Sequence, residues 1–208
     1  MFYRLLKSIA KIIIPIKYKV EIEGKEKMVH GGPMIISSNH CSIGDPILIS
    51  LMMKREIHFL AKIELFQFNL ARWFFHQINA IPVNRSSGVV IRPVRKALNL
   101  LEEGRIVGVF PEGTRIKNGK WVEPKKGVAF FAMKSGVPVF PVAVQYSKTK
   151  WGLRQKALIT VGDPIDVSTL NTDYQEAANF IMERSRNLLN QQSVEANTVT
   201  KEQHKQVE

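Results

Sequence analysis

A chain of 208 residues, 45% hydrophobic and 23% charged, fits one globular domain and can bury a substantial core. Its single cysteine, Cys41, excludes an internal disulfide framework and a four-cysteine zinc site. A formal net charge of +12 points to an anionic partner: nucleic acid, an acidic membrane surface, an acidic protein or a phosphorylated substrate.

Residues 1–20 read as a basic amphipathic helix. Phe2, Leu5, Leu6, Ile9, Ile12, Ile13 and Ile16 recur at helical spacing on one face, with Arg4, Lys7, Ser8 and Lys11 on the other. The first twenty residues contain Arg4, Lys7, Lys11, Lys17 and Lys19 and no acid. The lysines interrupt the apolar run, which is too short to span a bilayer, and no small-residue cleavage site follows. Two readings stand: a helix lying in a membrane interface over residues 1–19, or one docked on the protein's own core with its lysines solvated.

The main domain is expected over residues 20–190. A short strand at 20–23 ends at Gly24. The apolar run Met34-Ile35-Ile36 reads as a buried strand, and residues 47–53 as a helix with Pro46 at its first position and Asp45 as its N-cap. Between them stands Asn39-His40-Cys41-Ser42-Ile43-Gly44-Asp45-Pro46, a tight turn for which Gly44 supplies backbone freedom. Residues 56–61 form the next strand. Residues 65–78 have an aromatic helical face of Phe66, Phe68, Trp73, Phe74 and Phe75, fit for the core, an acyl-chain pocket or lipid.

Ala80-Ile81-Pro82-Val83 is a short strand leading to Arg85, and a helix runs from there to about Glu103, stopped by Gly104. Residues 106–110 form a buried strand before a sharp turn at Pro111-Glu112-Gly113-Thr114-Arg115. A helix over 128–134, an apolar strand over 137–144 broken by Pro138 and Pro141, a strand over 157–161 and a last helix over 174–189 complete the pattern. The polar tail 191–208 is expected to be disordered.

Strands alternating with helices, several of them continuously apolar, predict an α/β fold with a mostly parallel sheet and flanking helices. Ligands bind such sheets beyond the carboxyl ends of the strands. His40, Lys62, Arg85 and the turn at 112–115 all follow predicted strands and should converge on one edge. There, His40 with its ring held by Asp45 can take a proton from a hydroxyl, while Lys62, Arg85 and Arg115 offer charge to a phosphate. Gly113 allows close approach of backbone, and Glu112 can accept a hydrogen bond or hold an arginine. Asp45 as a mere cap and each cation as a solvated surface charge are the competing readings. No nucleic-acid module is recognisable, and the basic residues are scattered among apolar ones.

Four ordered stretches, residues 39–46, 80–85, 110–115 and 137–142, with a fifth at 59–65, resemble the lysophosphatidate acyltransferase family, the 1-acylglycerol-3-phosphate O-acyltransferases. The resemblance covers the chain's middle half, roughly residues 34–145. It implies a glycerolipid acyltransferase-like fold, with His40 as catalytic base and Asp45 as its partner. It implies glycerol-phosphate contacts among Lys62, Arg85, Glu112, Gly113, Thr114 and Arg115. It also implies an acyl-CoA or acyl carrier protein donor, no metal, no other cofactor and no acyl-enzyme. Work at the cytoplasmic face of a membrane, as a peripheral or monotopic protein, is implied too. Cys41 stands where many members have Gln, and Ile116 where many have Ser, which leaves the acceptor open. Other acceptors, such as glycerol 3-phosphate or another lysophospholipid, and a non-catalytic membrane-binding module are the rivals. Cys41 also invites a nucleophile reading, disfavoured because neighbours on extended backbone point to opposite sides.

Overall fold

The computed structural model describes residues 2–28, 31–84, 91–116, 122–148 and 154–205, with 191–205 followed by backbone alone. Among these residues, seven strands make one sheet: β1 (Tyr18–Glu23), β2 (Met34–Ser38), β3 (Ile57–Lys62), β4 (Ile81–Val83), β5 (Ile106–Val109), β6 (Val139–Lys148) and β7 (Gln155–Val161). Their order is β1-β7-β6-β2-β5-β3-β4. Among the described residues, β6 with β7 is the antiparallel pair and every other neighbouring pair is parallel. Among the described residues, six α-helices flank the sheet: α1 (Phe2–Lys17), α2 (Asp45–Met52), α3 (Asn69–Gln77), α4 (Ile91–Glu102), α5 (Gly127–Ser135) and α6 (Tyr174–Lys205).

The continuous apolar run of β2 has a direct cause, since all five of its residues are buried. Successive strand residues face opposite sides, so Ile36 packs with Leu48, Ile49 and Met52 of α2, while Ile35 packs with α4, α5 and α6 through Ala97, Leu101, Phe131 and Ile181. Burying each such large aliphatic side chain is worth about 1.5–3 kcal/mol.

Three expectations change. The strand predicted to break at its prolines is continuous through Pro141, which pairs opposite Ser37 and whose carbonyl accepts the Gly162 N–H at 2.8 Å. Proline removes a donor and leaves the acceptor. The single helix predicted over 65–78 is a 3₁₀ turn at Ile63–Phe66 followed by the shorter α3. Finally, α6 runs on to Lys205 through the stretch expected to be disordered. No glycine or proline follows Pro164, so nothing in the sequence stops it.

The parallel course of β2, β5 and β3 sets their carboxyl ends on one edge. That edge carries the turn after β2, the turn after β5 and Lys62, the last residue of β3. Because β1 runs the opposite way, its first residue, Tyr18, starts at this edge. β6 extends past the end of β2, where Ser38 pairs with Val142, and so carries Val144 and Tyr146 beside the same turn.

Candidate active site

The turn after β2 is fastened before it bends. Asn39 behaves as one more strand residue made from a side chain. Its Nδ2 donates to the Val144 carbonyl at 2.9 Å, and its Oδ1 accepts the Val144 N–H at 2.8 Å. His40 follows, and its Nδ1 lies 2.8 Å from Asp45 Oδ2. The same oxygen accepts the backbone N–H groups of Cys41 at 2.7 Å and Ser42 at 2.8 Å. The other oxygen, Oδ1, accepts the Tyr146 hydroxyl at 2.6 Å. Asp45 is fully buried, and each of its oxygens is supplied with donors, as a buried polar group requires.

Asp45 is therefore not the N-cap that its position suggests. Gly44 is the cap residue, Asp45 is the first helical residue, and no side chain caps α2. The carboxylate turns back onto the loop instead. Nor does Gly44 use glycine's special freedom: its φ of −78° and ψ of −14° are ordinary helical values.

The imidazole is packed as well as hydrogen-bonded. It stacks on Phe110 with ring centroids 4.2 Å apart, and Phe110 stacks on Phe59 at 5.4 Å. Gly108 makes room for that stack, since a Cβ there would lie 2.4 Å from the Phe59 ring. With Nδ1 engaged by the carboxylate, Nε2 is the nitrogen that can take a substrate proton. The side chain remains 18% exposed, enough to meet a substrate from solvent.

The turn after β5 closes on the other side of His40. Glu112 is buried, and its Oε2 accepts the His40 backbone N–H at 2.9 Å. The His40 carbonyl accepts the Ile116 N–H at 2.7 Å. Gly113 sits at a φ of +68°, a left-handed conformation that lets the chain reverse between those two contacts. Burial pushes the Glu112 carboxyl above the usual carboxylate range, opposed by the His40 N–H and by the charge of Arg186.

The candidate residues divide by position. His40, Asp45 and Glu112 form one hydrogen-bonded group. Gly113, Thr114 and Arg115 belong to the adjoining turn, and both Thr114 and Arg115 are exposed. Lys62 lies at the same sheet edge, its ammonium paired with Glu64 at 3.0 Å. Arg85 lies outside the described residues. Among the described residues, no three His, Cys, Asp or Glu side chains converge as metal ligands. Although Cys41 reaches solvent, its sulfur packs against Asn39 Nδ2 and the Val144 carbonyl, 3.0 and 3.7 Å away. That burial, with the Asp45 and Glu112 carboxylates nearby, pushes its thiol up to about 11. A thiol so placed stays protonated at neutral pH and is a poor nucleophile.

Sequence reasoning missed Tyr146, the role of Asn39, the Phe110 stack and the approach of Arg186 to Glu112. Asn39 and Phe110 carried a signal, since each begins a motif next to a reactive residue. Tyr146 and Arg186 carried none, because only the folded sheet brings them here.

A family model described as Acyltransferase matches residues 19–145. A 1-acyl-sn-glycerol-3-phosphate acyltransferase of Bacillus subtilis is 29% identical, over 78% of this chain and 82% of its own length. The chloroplastic 1-acyl-sn-glycerol-3-phosphate acyltransferase BAT2 of Brassica napus is 28% identical over 82% of this chain, which spans only 49% of that protein. Among solved structures, the 1-acyl-sn-glycerophosphate acyltransferase of Thermotoga maritima superposes with a TM-score of 0.72 at 25% identity, covering 91% of this chain and 79% of that one.

Proposed function

Because this chain belongs to the Acyltransferase family, we propose that it moves an acyl chain from a thioester to the sn-2 hydroxyl of 1-acylglycerol 3-phosphate, giving phosphatidic acid. The observation that carries this reading is the 2.8 Å contact of His40 Nδ1 with Asp45 Oδ2, on a carboxylate that three further donors hold. The names of the Bacillus, Brassica and Thermotoga relatives support the acceptor.

His40 Nε2 takes the proton of the acceptor hydroxyl as its oxygen attacks the thioester carbonyl. Asp45 fixes the tautomer and stabilises the imidazolium, the logic of a serine triad without the serine. The tetrahedral intermediate collapses by breaking the carbon–sulfur bond. The thiolate leaves, and the imidazolium returns its proton to it. Arg115, exposed on the turn beside His40, receives the acceptor phosphate together with Arg85 and Lys62. The donor is acyl-CoA or acyl carrier protein.

No helix among the described residues is long and apolar enough to cross a membrane. α1 supports contact with an anionic lipid surface, because it buries only Tyr3 and leaves Leu5, Ile12, Ile13 and Ile16 exposed beside its cations; the cytoplasmic face is the side proposed. The deciding experiment gives the purified protein radiolabelled acyl-CoA with lysophosphatidate, glycerol 3-phosphate or a phosphate-free lysolipid. Label in phosphatidic acid supports the proposal. Preferential labelling of another acceptor moves the enzyme to that substrate, and vesicle binding without acyl transfer leaves a membrane-binding module.

A further inference from the structure

α3 is a nine-residue helix of which no residue is buried. Leu70 and Trp73 on it are 78% and 49% exposed, and Phe68, just before it, is 76% exposed. A helix this short is marginal on backbone hydrogen bonds alone and depends on a covered apolar face. Exposed apolar surface concentrated in one place marks an interaction site. α3 also adjoins α1: Phe2 meets Trp73 edge to face, ring centroids 4.8 Å apart. The two helices thus present neighbouring apolar surfaces joined by an aromatic pair.

Charge identifies what covers them. Arg4, Lys11 and Lys17 are exposed on α1, and the helix has no acid to balance them. A second copy packed about a twofold axis through this surface would bring those cations together uncompensated. A lipid surface with anionic headgroups satisfies both the apolar and the basic groups, and a tryptophan suits its boundary layer. We propose that α3, with Phe68, is a second membrane contact beside α1, the two helices resting in one leaflet of an anionic bilayer. This rests on the reading of α1 as an interfacial helix. Since α3 follows β3, whose last residue Lys62 lies on the site edge, the second contact fixes the angle at which that edge meets the lipid acceptor.

The test uses the full chain with Trp121→Phe and Trp151→Phe, leaving Trp73 as its sole tryptophan. It is mixed with phosphatidylglycerol–phosphatidylcholine vesicles whose acyl chains carry bromine at a shallow or a deep carbon. An interfacial helix lies about 5–10 Å into the headgroup–acyl boundary, so a blue shift is expected, with stronger quenching from shallow bromine than from deep. Phe68→Asp with Leu70→Asp should abolish the quenching while the protein stays folded by circular dichroism. Vesicles that pellet the protein without shifting or quenching Trp73 would overturn the α3 proposal and leave α1 standing. No pelleting at all would overturn both. Lipid-free emission already blue-shifted, with a dimer in ultracentrifugation, would assign the face to a second copy and overturn the proposal as well.

Discussion

Tyr146 donates its hydroxyl to Asp45 Oδ1 at 2.6 Å from a position 101 residues further along the chain. The hydroxyl is itself held neutral, because burial and the Asp45 carboxylate both push its ionisation far above the ordinary tyrosine range. It is therefore a fixed donor, and it aims the carboxylate that aims His40. The Tyr146 ring rests against Tyr18 with centroids 5.6 Å apart, so Tyr146→Phe removes the donor and keeps the packing. A buried acceptor left short of a donor costs about 1–3 kcal/mol. If about half of this appears in the transition state, turnover falls about two- to tenfold with the Michaelis constants unchanged. Wild-type turnover from the folded variant would reduce Tyr146 to a packing residue.

Asp45→Asn removes the charge and one acceptor from a site where four donors converge. Both quantities should fall: turnover by about 100-fold or more, from loss of imidazolium stabilisation, and stability by about 1–3 kcal/mol. Activity per folded molecule separates the two effects. A normal value would make Asp45 an anchor of the turn alone.

Glu112 gives a pH test with a definite sign. Its folded-state ionisation lies above the unfolded value because of burial. Its contribution to stability is therefore greatest below the unfolded value and declines as pH rises through the folded one. Glu112→Gln keeps an oxygen for the His40 N–H and cannot ionise, so its stability relative to wild type should improve from acid to neutral pH. Glu112→Ala leaves that N–H without its acceptor and should lose about 1–3 kcal/mol. Thermal denaturation of both variants across pH checks this, and a Gln variant that loses ground towards neutral pH contradicts it.

Arg115 is exposed on the turn whose next residue, Ile116, bonds to the His40 carbonyl. A charge-assisted contact with phosphate is worth about 1.5–3 kcal/mol, so Arg115→Ala should raise the KM for the phosphorylated acceptor about tenfold or more. The KM for the acyl donor should change little, and Arg85→Ala belongs in the same assay. Weakened donor binding with normal acceptor binding would move these cations to the donor's phosphates.

The site was legible as far as its contacts are local. His40 and Asp45 are five residues apart on one turn, and the strand ends that carry Glu112 and Lys62 follow from apolar runs separated by helices. The same local view misassigned Asp45 as a helix cap, because the sequence does not reveal that its carboxylate has nearer donors behind it than ahead. Tyr146 and the Asn39–Val144 pair were out of reach. Both depend on β6 lying beside β2, which joins residues about a hundred positions apart, and strand order is not written in local periodicity. The aromatic face over 65–78 read mostly as core, with part of it open to an acyl-chain pocket or lipid, and Phe66 is indeed buried. The structure narrows the choice, since α3 buries nothing.

The central claim is that His40 is the general base. It is tested most directly by following free thiol release from acyl-CoA with lysophosphatidate, for wild type and His40→Ala, with circular dichroism and thermal denaturation on both. The ring contributes a stack and one side-chain hydrogen bond, while the backbone contacts of His40 to Glu112 and Ile116 survive the substitution. The fold should therefore persist while turnover drops by at least about 100-fold, the scale of general-base loss. Near-wild-type thiol release from a folded His40→Ala protein would contradict the account.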